Sequence, residues 1–160
     1  MDERRYRDAQ TTFAALGDYA DAASWKDKAD YCIQAEVTYN EAKTLMSVGA
    51  YDTAMQSFQK IRDFWDANDQ AELCQQHLFY EDANNSIALG KMDAARKVLE
   101  SLKLKGFEGA EARIADIDSY ESAVVLQAGK DFPGAKEKFD ALGSFYDAEK
   151  RAKECGDEIT

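Results

Sequence analysis

The stretch Tyr39–Cys74 decides the fold, and it reads YNEAKTLMSVGAYDTAMQSFQKIRDFWDANDQAELC. Its second half carries apolar side chains at spacings of three, four and three residues, at Tyr51, Ala54, Phe58 and Ile61. Such spacing places these side chains on one face of an α-helix. The first half has a similar stripe and ends at a glycine, which is typical of a helix end. The stretch therefore predicts a unit of two amphipathic helices joined at that glycine.

The rest of the chain repeats this unit. Four apolar columns of the second helix recur, each with successive intervals of 45, 41 and 40. The columns are Tyr6, Tyr51, Met92 and Phe132; Ala9, Ala54, Ala95 and Ala135; Phe13, Phe58, Leu99 and Phe139; and Leu16, Ile61, Leu102 and Leu142. In the first helix, Tyr39, Tyr80 and Tyr120 step by 41 and 40. A fixed period of this length is the sequence signature of a repeat protein.

The repeat predicts an all-α fold of seven or eight helices without a sheet. We expect one helical-repeat domain over residues 1–160, with a partial unit, three repeats and a terminal capping helix. Their predicted ranges are 1–24, 25–64, 65–104, 105–144 and 145–160. The predicted helices cover residues 3–16, 25–48, 51–62, 66–89, 92–102, 107–128, 132–142 and 146–155. The ends allow two interpretations: natural caps with a polar face, or cuts through a longer array.

Composition excludes several classes of function. The net charge is −11, and the basic residues form no stripe of the kind that nucleic-acid binding requires. No apolar run reaches the length of roughly 18 residues that a membrane-spanning helix needs. The preferred interpretation of this charge is an acidic surface that keeps the chain soluble, and a basic partner is the alternative. We expect a monomer in the cytoplasm, although a piece of a larger protein would have lost any targeting segment.

Chemically reactive residues are few, and the repeat explains them. Cys74 and Cys155 share a column with Ile114, and Cys32 precedes Cys74 by close to one period. Such a column predicts a small apolar packing position rather than a metal or disulfide site. His77 is the single histidine, and no nucleophile or phosphate-loop motif accompanies it. We therefore expect no catalytic residues, no cofactor and no metal.

The unit resembles a known family, the tetratricopeptide repeat. The pattern A-x-x-L-x-x-x-G-x-Y-x-x-A-x-x-x-F-x-x-I runs from Ala42 to Ile61 and recurs at Ala83–Leu102 and Ala123–Leu142. Two features depart from the family. The period is 40–41, longer than the family's repeat of about 34 residues, and F-W-D-A or F-Y-D-A replaces the closing proline. These features are similar to a variant repeat of multidomain proteins of Gram-positive bacteria. The resemblance implies a right-handed α-solenoid that binds a partner on its concave face.

The resemblance also implies which first-helix residues line a peptide groove. Carried over by position, they are Tyr39, Lys43, Met46, His77, Tyr80, Asn84, Ile87, Ile117, Tyr120, Val124 and Gln127. The predicted function is a protein–protein interaction scaffold that holds a peptide or helix. Three alternatives remain open: a structural spacer without a specific ligand, an accessory region of an enzyme, and a tyrosine column that only packs helix against helix.

Overall fold

A computed structural model describes residues 3–159, and all regular secondary structure in this range is helical. The helices are α1 (Glu3–Leu16), α2 (Ala22–Ser47), α3 (Tyr51–Lys60), α4 (Ala67–Ala88), α5 (Met92–Leu104), α6 (Ala110–Ala128), α7 (Phe132–Leu142) and α8 (Ala148–Ile159). The eight helices and the lack of a strand over residues 3–159 confirm the all-α prediction.

The helices alternate in length, as the repeat requires. We call α2, α4, α6 and α8 the first-type helices, and α1, α3, α5 and α7 the second-type helices. The complete first-type helices have 26, 22 and 19 residues. The second-type helices that follow them have 10, 13 and 11 residues. Within the units described below, α2 packs against α1 and α3, and α6 packs against α5 and α7.

A recurring turn leads from a second-type helix into the next first-type helix. In the turn at residues 61–67, the Phe64 amide donates to the Ile61 carbonyl at 2.8 Å, and the Ala67 amide donates to the Phe64 carbonyl at 3.0 Å. Trp65, between them, has a φ of +48°, a conformation that L-residues rarely adopt. The same bonds and positive φ recur at residues 16–22 and 142–148. The F-W-D-A and F-Y-D-A motifs lie in the second and third of these turns.

The turn before α6 has a different construction. It has two left-handed residues, Gly106 at φ +75° and Gly109 at φ +89°, and α6 begins directly after Gly109. The helix therefore starts at Ala110, three residues later than the predicted residue 107. Conversely, α2 starts at Ala22, three residues before the predicted residue 25.

The chain forms two compact units, residues 1–78 and 79–160, and each has its own core. The core of the first unit includes Phe58, Ala54 and Ala42, all without exposed surface. The core of the second unit includes Leu99 and Phe139, also fully buried. The alanine and phenylalanine columns that the sequence singled out thus contribute the centre of both cores.

The cysteine column needs a correction. Cys74 and Cys155 are fully buried, as a packing role requires, but the equivalent residue of α6 is the fully buried Ile117. Ile114 and Cys32, the other predicted members, are only partly buried. The reason is the later start of α6: the buried residue lies seven positions after the alanine that opens each helix, at 67/74, 110/117 and 148/155. Burial raises the pKa of the Cys74 and Cys155 thiols, which keeps them protonated and unreactive.

The buried phenylalanine column gives a direct test of the core. Phe58→Ala removes a side chain without exposed surface, and we expect it to lower the free energy of unfolding by about 3–5 kcal/mol. Leu104→Ala is the control, because Leu104 is 90% exposed and its truncation should cost less than about 0.5 kcal/mol. Urea unfolding followed by circular dichroism measures both. Equal losses for the two variants would contradict this core.

Candidate functional site

Hydrogen bonds join each first-type helix to the next one. Each bond uses one residue of the predicted groove and one residue of the following first-type helix. The pairs are Lys43 Nζ to Gln70 Oε1 at 3.1 Å, Arg113 Nε to Asn84 Oδ1 at 3.0 Å, and Arg151 Nη1 to Gln127 Oε1 at 2.8 Å. Three of the predicted lining residues therefore hold neighbouring helices together.

Tyr39 takes part in both packing and hydrogen bonding. Its ring meets Phe58 and Trp65 edge-on, with centroids 5.4 Å and 5.0 Å away. Its hydroxyl donates to Asp66 Oδ1 at 2.6 Å. This bond, with a second one from Gln70, lowers the pKa of the Asp66 carboxyl. The arrangement ties the C-terminal half of α2 to the turn before α4.

Tyr120 repeats the arrangement in the second unit, where it is more deeply buried. Only 5% of its surface is exposed, and its ring contacts Phe139 and Phe145 at centroid distances of 5.8 Å and 5.7 Å. Its hydroxyl donates to Asp147 Oδ1 at 2.5 Å, and Arg151 pairs with the same carboxylate. Tyr120 is therefore a core residue that locks α6 onto the turn before α8.

Tyr80 occupies the same column but has a different neighbour. The turn before α6 has a glycine where the other turns have an aspartate, and the Tyr80 hydroxyl lies close to Gly109. Its ring packs against Phe107 with the centroids 5.2 Å apart. Tyr39 and Tyr120 thus pack against a following helix and turn, whereas Tyr80 packs against the turn before α6.

The other predicted lining residues are mostly engaged as well. Ile87 and Ile117 are buried in the second core, and Val124 packs against it. Met46 packs against the first core. His77 stacks on Tyr51, with the ring centroids 4.2 Å apart and the planes parallel within 1°.

A surface depression in the second unit includes two of the predicted residues, Asn84 and Ile87. It has a volume of about 310 Å³ and lies where α4, α6 and the turn before α8 meet. Its lining consists of Asn84, Ile87, Ala88, Arg113, Leu142, Ser144, Phe145 and Tyr146. We call it the α4–α6 depression.

Arg113 is the charged group of the α4–α6 depression. Its Nε donates to Asn84, its Nη1 lies 3.2 Å from Asp116 Oδ2, and its guanidinium lies 5.9 Å from the centre of the Phe145 ring. These contacts fix the guanidinium while its side chain stays 37% exposed. A guanidinium held in this way can donate to a carbonyl or carboxylate oxygen of a ligand.

Tyr146 forms one wall of the depression, and the position of its ring requires a glycine at residue 90. A Cβ on Gly90 would lie 2.6 Å from the Tyr146 hydroxyl oxygen, so the ring rests directly against the hinge between α4 and α5.

Sequence reasoning missed Arg113 and Tyr146 as site residues. Its lining positions were counted from the alanines of the first-type helices, whereas these residues come from the start of α6 and from a turn. The F-Y-D-A motif was the available signal.

Metal-binding clusters and membrane-spanning helices are both absent from the part of the chain that the structure describes. Between residues 3 and 159, no group of three or more histidine, cysteine, aspartate or glutamate residues is arranged to hold a metal ion. Over the same residues, no helix combines the length and apolar character needed to cross a membrane.

Comparison with known proteins adds no relative. No protein-family model matches this chain, and neither does any curated protein or solved structure.

The half-buried Tyr39 and the buried Tyr120 predict how stability changes in alkali. Burial, aided by the bond to Asp66, raises the pKa of Tyr39 to about 12, and burial also raises the pKa of Tyr120. Unfolded tyrosine ionises near pH 10, so stability is fully present below that pH and falls as the pH rises toward 12. Tyr39→Phe should lower stability by about 1 kcal/mol at pH 7 and flatten the alkaline decline.

Thermal unfolding between pH 7 and pH 11.5 measures this effect. Tyr19→Phe is the matched control, because Tyr19 is 74% exposed and its removal should leave the profile unchanged. An alkaline decline of the same slope in Tyr39→Phe and the parent protein would contradict the assignment.

Alanine substitutions at two hinge glycines separate the steric contact with Tyr146 from the cost of a left-handed backbone. Gly49 and Gly90 have similar φ values, +78° and +71°, and alanine at either position carries the left-handed cost of about 1–2 kcal/mol. A Cβ meets nothing within 4 Å at Gly49 but meets Tyr146 at Gly90. Gly90→Ala should therefore destabilise by about 1 kcal/mol more than Gly49→Ala in urea unfolding. In a Tyr146→Ala background the difference should vanish; equal losses in the parent background would refute the contact.

Proposed function

We propose that this protein is a non-catalytic interaction module that binds a peptide segment of a partner protein. The observation that carries the proposal is the α4–α6 depression, in which a fixed but accessible guanidinium stands beside apolar and aromatic walls. Peptide sites combine these elements: apolar contacts supply affinity, and a few placed polar groups set the orientation. Leu142 and Tyr146 supply the accessible apolar surface, and the buried Ile87 and Phe145 lie beneath it.

The chemistry of the depression selects the part of the peptide that it holds. Arg113 donates to a backbone carbonyl or carboxylate oxygen, and an apolar side chain of the peptide packs against Phe145 and Tyr146. Basic side chains on either side of this anchor meet the acidic surface of a chain whose net charge is −11. The proposed ligand is therefore a peptide with an apolar anchor and flanking lysines or arginines.

The architecture that we propose for this role is a right-handed α-solenoid of tetratricopeptide type. Its support is the regular period of the sequence repeat, together with the helix pairs and repeated turns found within each unit. The three free cysteines fit a reducing compartment such as the cytoplasm.

A structural spacer is the second candidate function, and a specific observation favours it. Lys43, Asn84 and Gln127, which the resemblance assigns to a groove, each bond to a neighbouring helix. A spacer needs such bonds, because they stiffen the array, and it needs no ligand. The two candidates differ in whether the depression has an occupant.

Selection from a random peptide library displayed on phage tests the proposal. We expect enrichment of peptides with an apolar anchor and basic flanks. Ser144→Trp, which fills the α4–α6 depression, should weaken the binding of a selected peptide at least tenfold, as measured by fluorescence anisotropy. Arg113→Ala should weaken it by a similar factor, because it removes the hydrogen-bond donor.

A matched variant separates blocking from nonspecific damage. Ser101→Trp introduces the same side chain at an exposed serine of α5, away from this depression, and should leave binding unchanged. The proposal would be contradicted, and the structural spacer favoured, if no peptide is enriched. The same holds if the two tryptophan variants, both folded, change peptide binding equally.

A further inference from the structure

Helices α4 and α5 border a second surface groove, and its lining belongs entirely to the second unit. It has a volume of about 330 Å³ and shares no residue with the α4–α6 depression. One residue of α4 lines it, together with a stripe that follows one side of α5 to its C-terminal cap. These residues are Phe79, Lys97, Val98, Ser101, Leu102 and Lys105. We call it the α4–α5 groove.

The α4–α5 groove has an apolar centre that is partly open to solvent. Leu102 is 2% exposed and forms the base, and Val98 is partly buried and packs against the second core. Phe79 is 45% exposed. An aromatic ring thus stands in solvent beside apolar side chains that the core already holds in place, which is the arrangement of a binding surface.

The other repeats show that the fold does not require an apolar surface at this place. Phe79 and Val98 occupy positions that are polar in the two equivalent helix pairs. Their counterparts are Thr38 and Ser57 in α2 and α3, and Ser119 and Lys138 in α6 and α7. Those helices pack against each other without an apolar residue at either position. Helix packing therefore does not account for the exposed apolar pair, which is located in the middle of the chain.

The rim of the α4–α5 groove is basic, although the chain as a whole is acidic. Residues 91–105 carry five basic and two acidic side chains, whereas the whole chain has a net charge of −11. Arg96 and Lys103 of this segment pair with carboxylates of α6. Lys97, by contrast, is exposed and pairs with no residue that the structure describes. Since none of the six lining residues is acidic, the groove favours an anionic ligand.

We propose that the α4–α5 groove binds an acidic segment of a partner protein that carries one large apolar side chain between its acidic residues. The apolar side chain packs against Phe79, Val98 and Leu102, and a carboxylate of the segment pairs with Lys97. Lys105 lies about 12 Å from Lys97 along the helix axis and adds positive charge at the other end. The site selects the opposite charge from the α4–α6 depression and does not rest on the function proposed for it.

Two other occupants fit the groove less well. A small carboxylic acid would stay largely in solvent, because Phe79 is half exposed and Lys97 and Ser101 are exposed, whereas small-ligand sites bury most of the ligand. A second copy of this chain would bring its own net charge of −11, so the two copies would repel each other. A segment of another protein can continue past both ends of the groove.

The probe is the synthetic peptide G-D-E-F-E-D-G, which carries one phenylalanine between acidic residues. Its binding to the full chain is followed by nitrogen–proton NMR correlation spectra, which also show where it binds. We expect saturable shifts centred on Phe79 and residues 97–105. Ser101→Trp fills the groove and should weaken binding by about tenfold or more. Lys97→Glu should weaken it by about fivefold or more, because it places a like charge beside the peptide.

Matched variants separate the groove from general effects of charge and size. Lys153→Glu changes the net charge by the same amount as Lys97→Glu, at an exposed position of α8 outside the groove, and should leave binding unchanged. Ser144→Trp, which fills the α4–α6 depression, should also leave the acidic peptide bound. The two tryptophan variants thus exchange roles between the two surfaces, so either proposal can fail without the other.

Three results would overturn the proposal. The first is an absence of saturable shifts up to about 1 mM peptide. The second is equal affinity for a peptide with serine in place of phenylalanine, because the groove would then only attract charge. The third is an equal loss of affinity in Lys97→Glu and Lys153→Glu. If circular dichroism shows that Lys97→Glu does not fold, Lys97→Gln replaces it, since Gln56 occupies the equivalent position of α3.

Discussion

At each contact between a first-type helix and the second-type helix that follows it, both helices contribute an alanine without exposed surface. Ala42 and Ala54 do so in the first unit, and Ala123 and Ala135 in the second. With only a methyl group at these positions, two backbones can approach to the short end of the usual interaxial range of about 8–10 Å. The large side chains Phe58 and Phe139 then fill the space beside each alanine pair. A longer side chain at any of these alanines would push the helices apart and loosen the aromatic packing beside them.

Much of this arrangement could be predicted from the sequence, because the repeat supplied several independent copies of each position. Phe58, Leu99 and Phe139 occur in one column, and a column of large apolar residues on one helix face predicts a core position. The register of α6 could not be predicted in the same way. It depends on the turn at residues 105–109, where Gly106 and Gly109 both have a left-handed φ and α6 begins only at Ala110, three residues later than predicted. That delay brings Ile117 rather than Ile114 into the buried position and places Arg113 beside Asn84.

The candidate site shows the same division between helix periodicity and turn geometry. Asn84 and Ile87 belong to a regular helix, so counting positions along the repeat found them. Ser144, Phe145 and Tyr146 belong to a turn whose path depends on a residue with positive φ, and the sequence pattern gave no position for their side chains. Nor could it show that Tyr39 and Tyr120 donate to aspartates of the following turns. These bonds leave the tyrosines little freedom to contact a ligand, so the proposed binding surface consists of other residues, those that line the α4–α6 depression.

The two fully buried cysteines can report on local opening of the folded chain. Cys74 lies in the first unit and Cys155 in the second, and both thiols are shielded from solvent in the folded protein. A thiol reagent can therefore reach each one only when the surrounding helices separate. Cys32 would first be replaced by serine. Peptide mass spectrometry would then give the alkylation rate of each remaining thiol, and each rate would give the free energy of opening of one unit. The two thiols thus report whether the two units open together or independently.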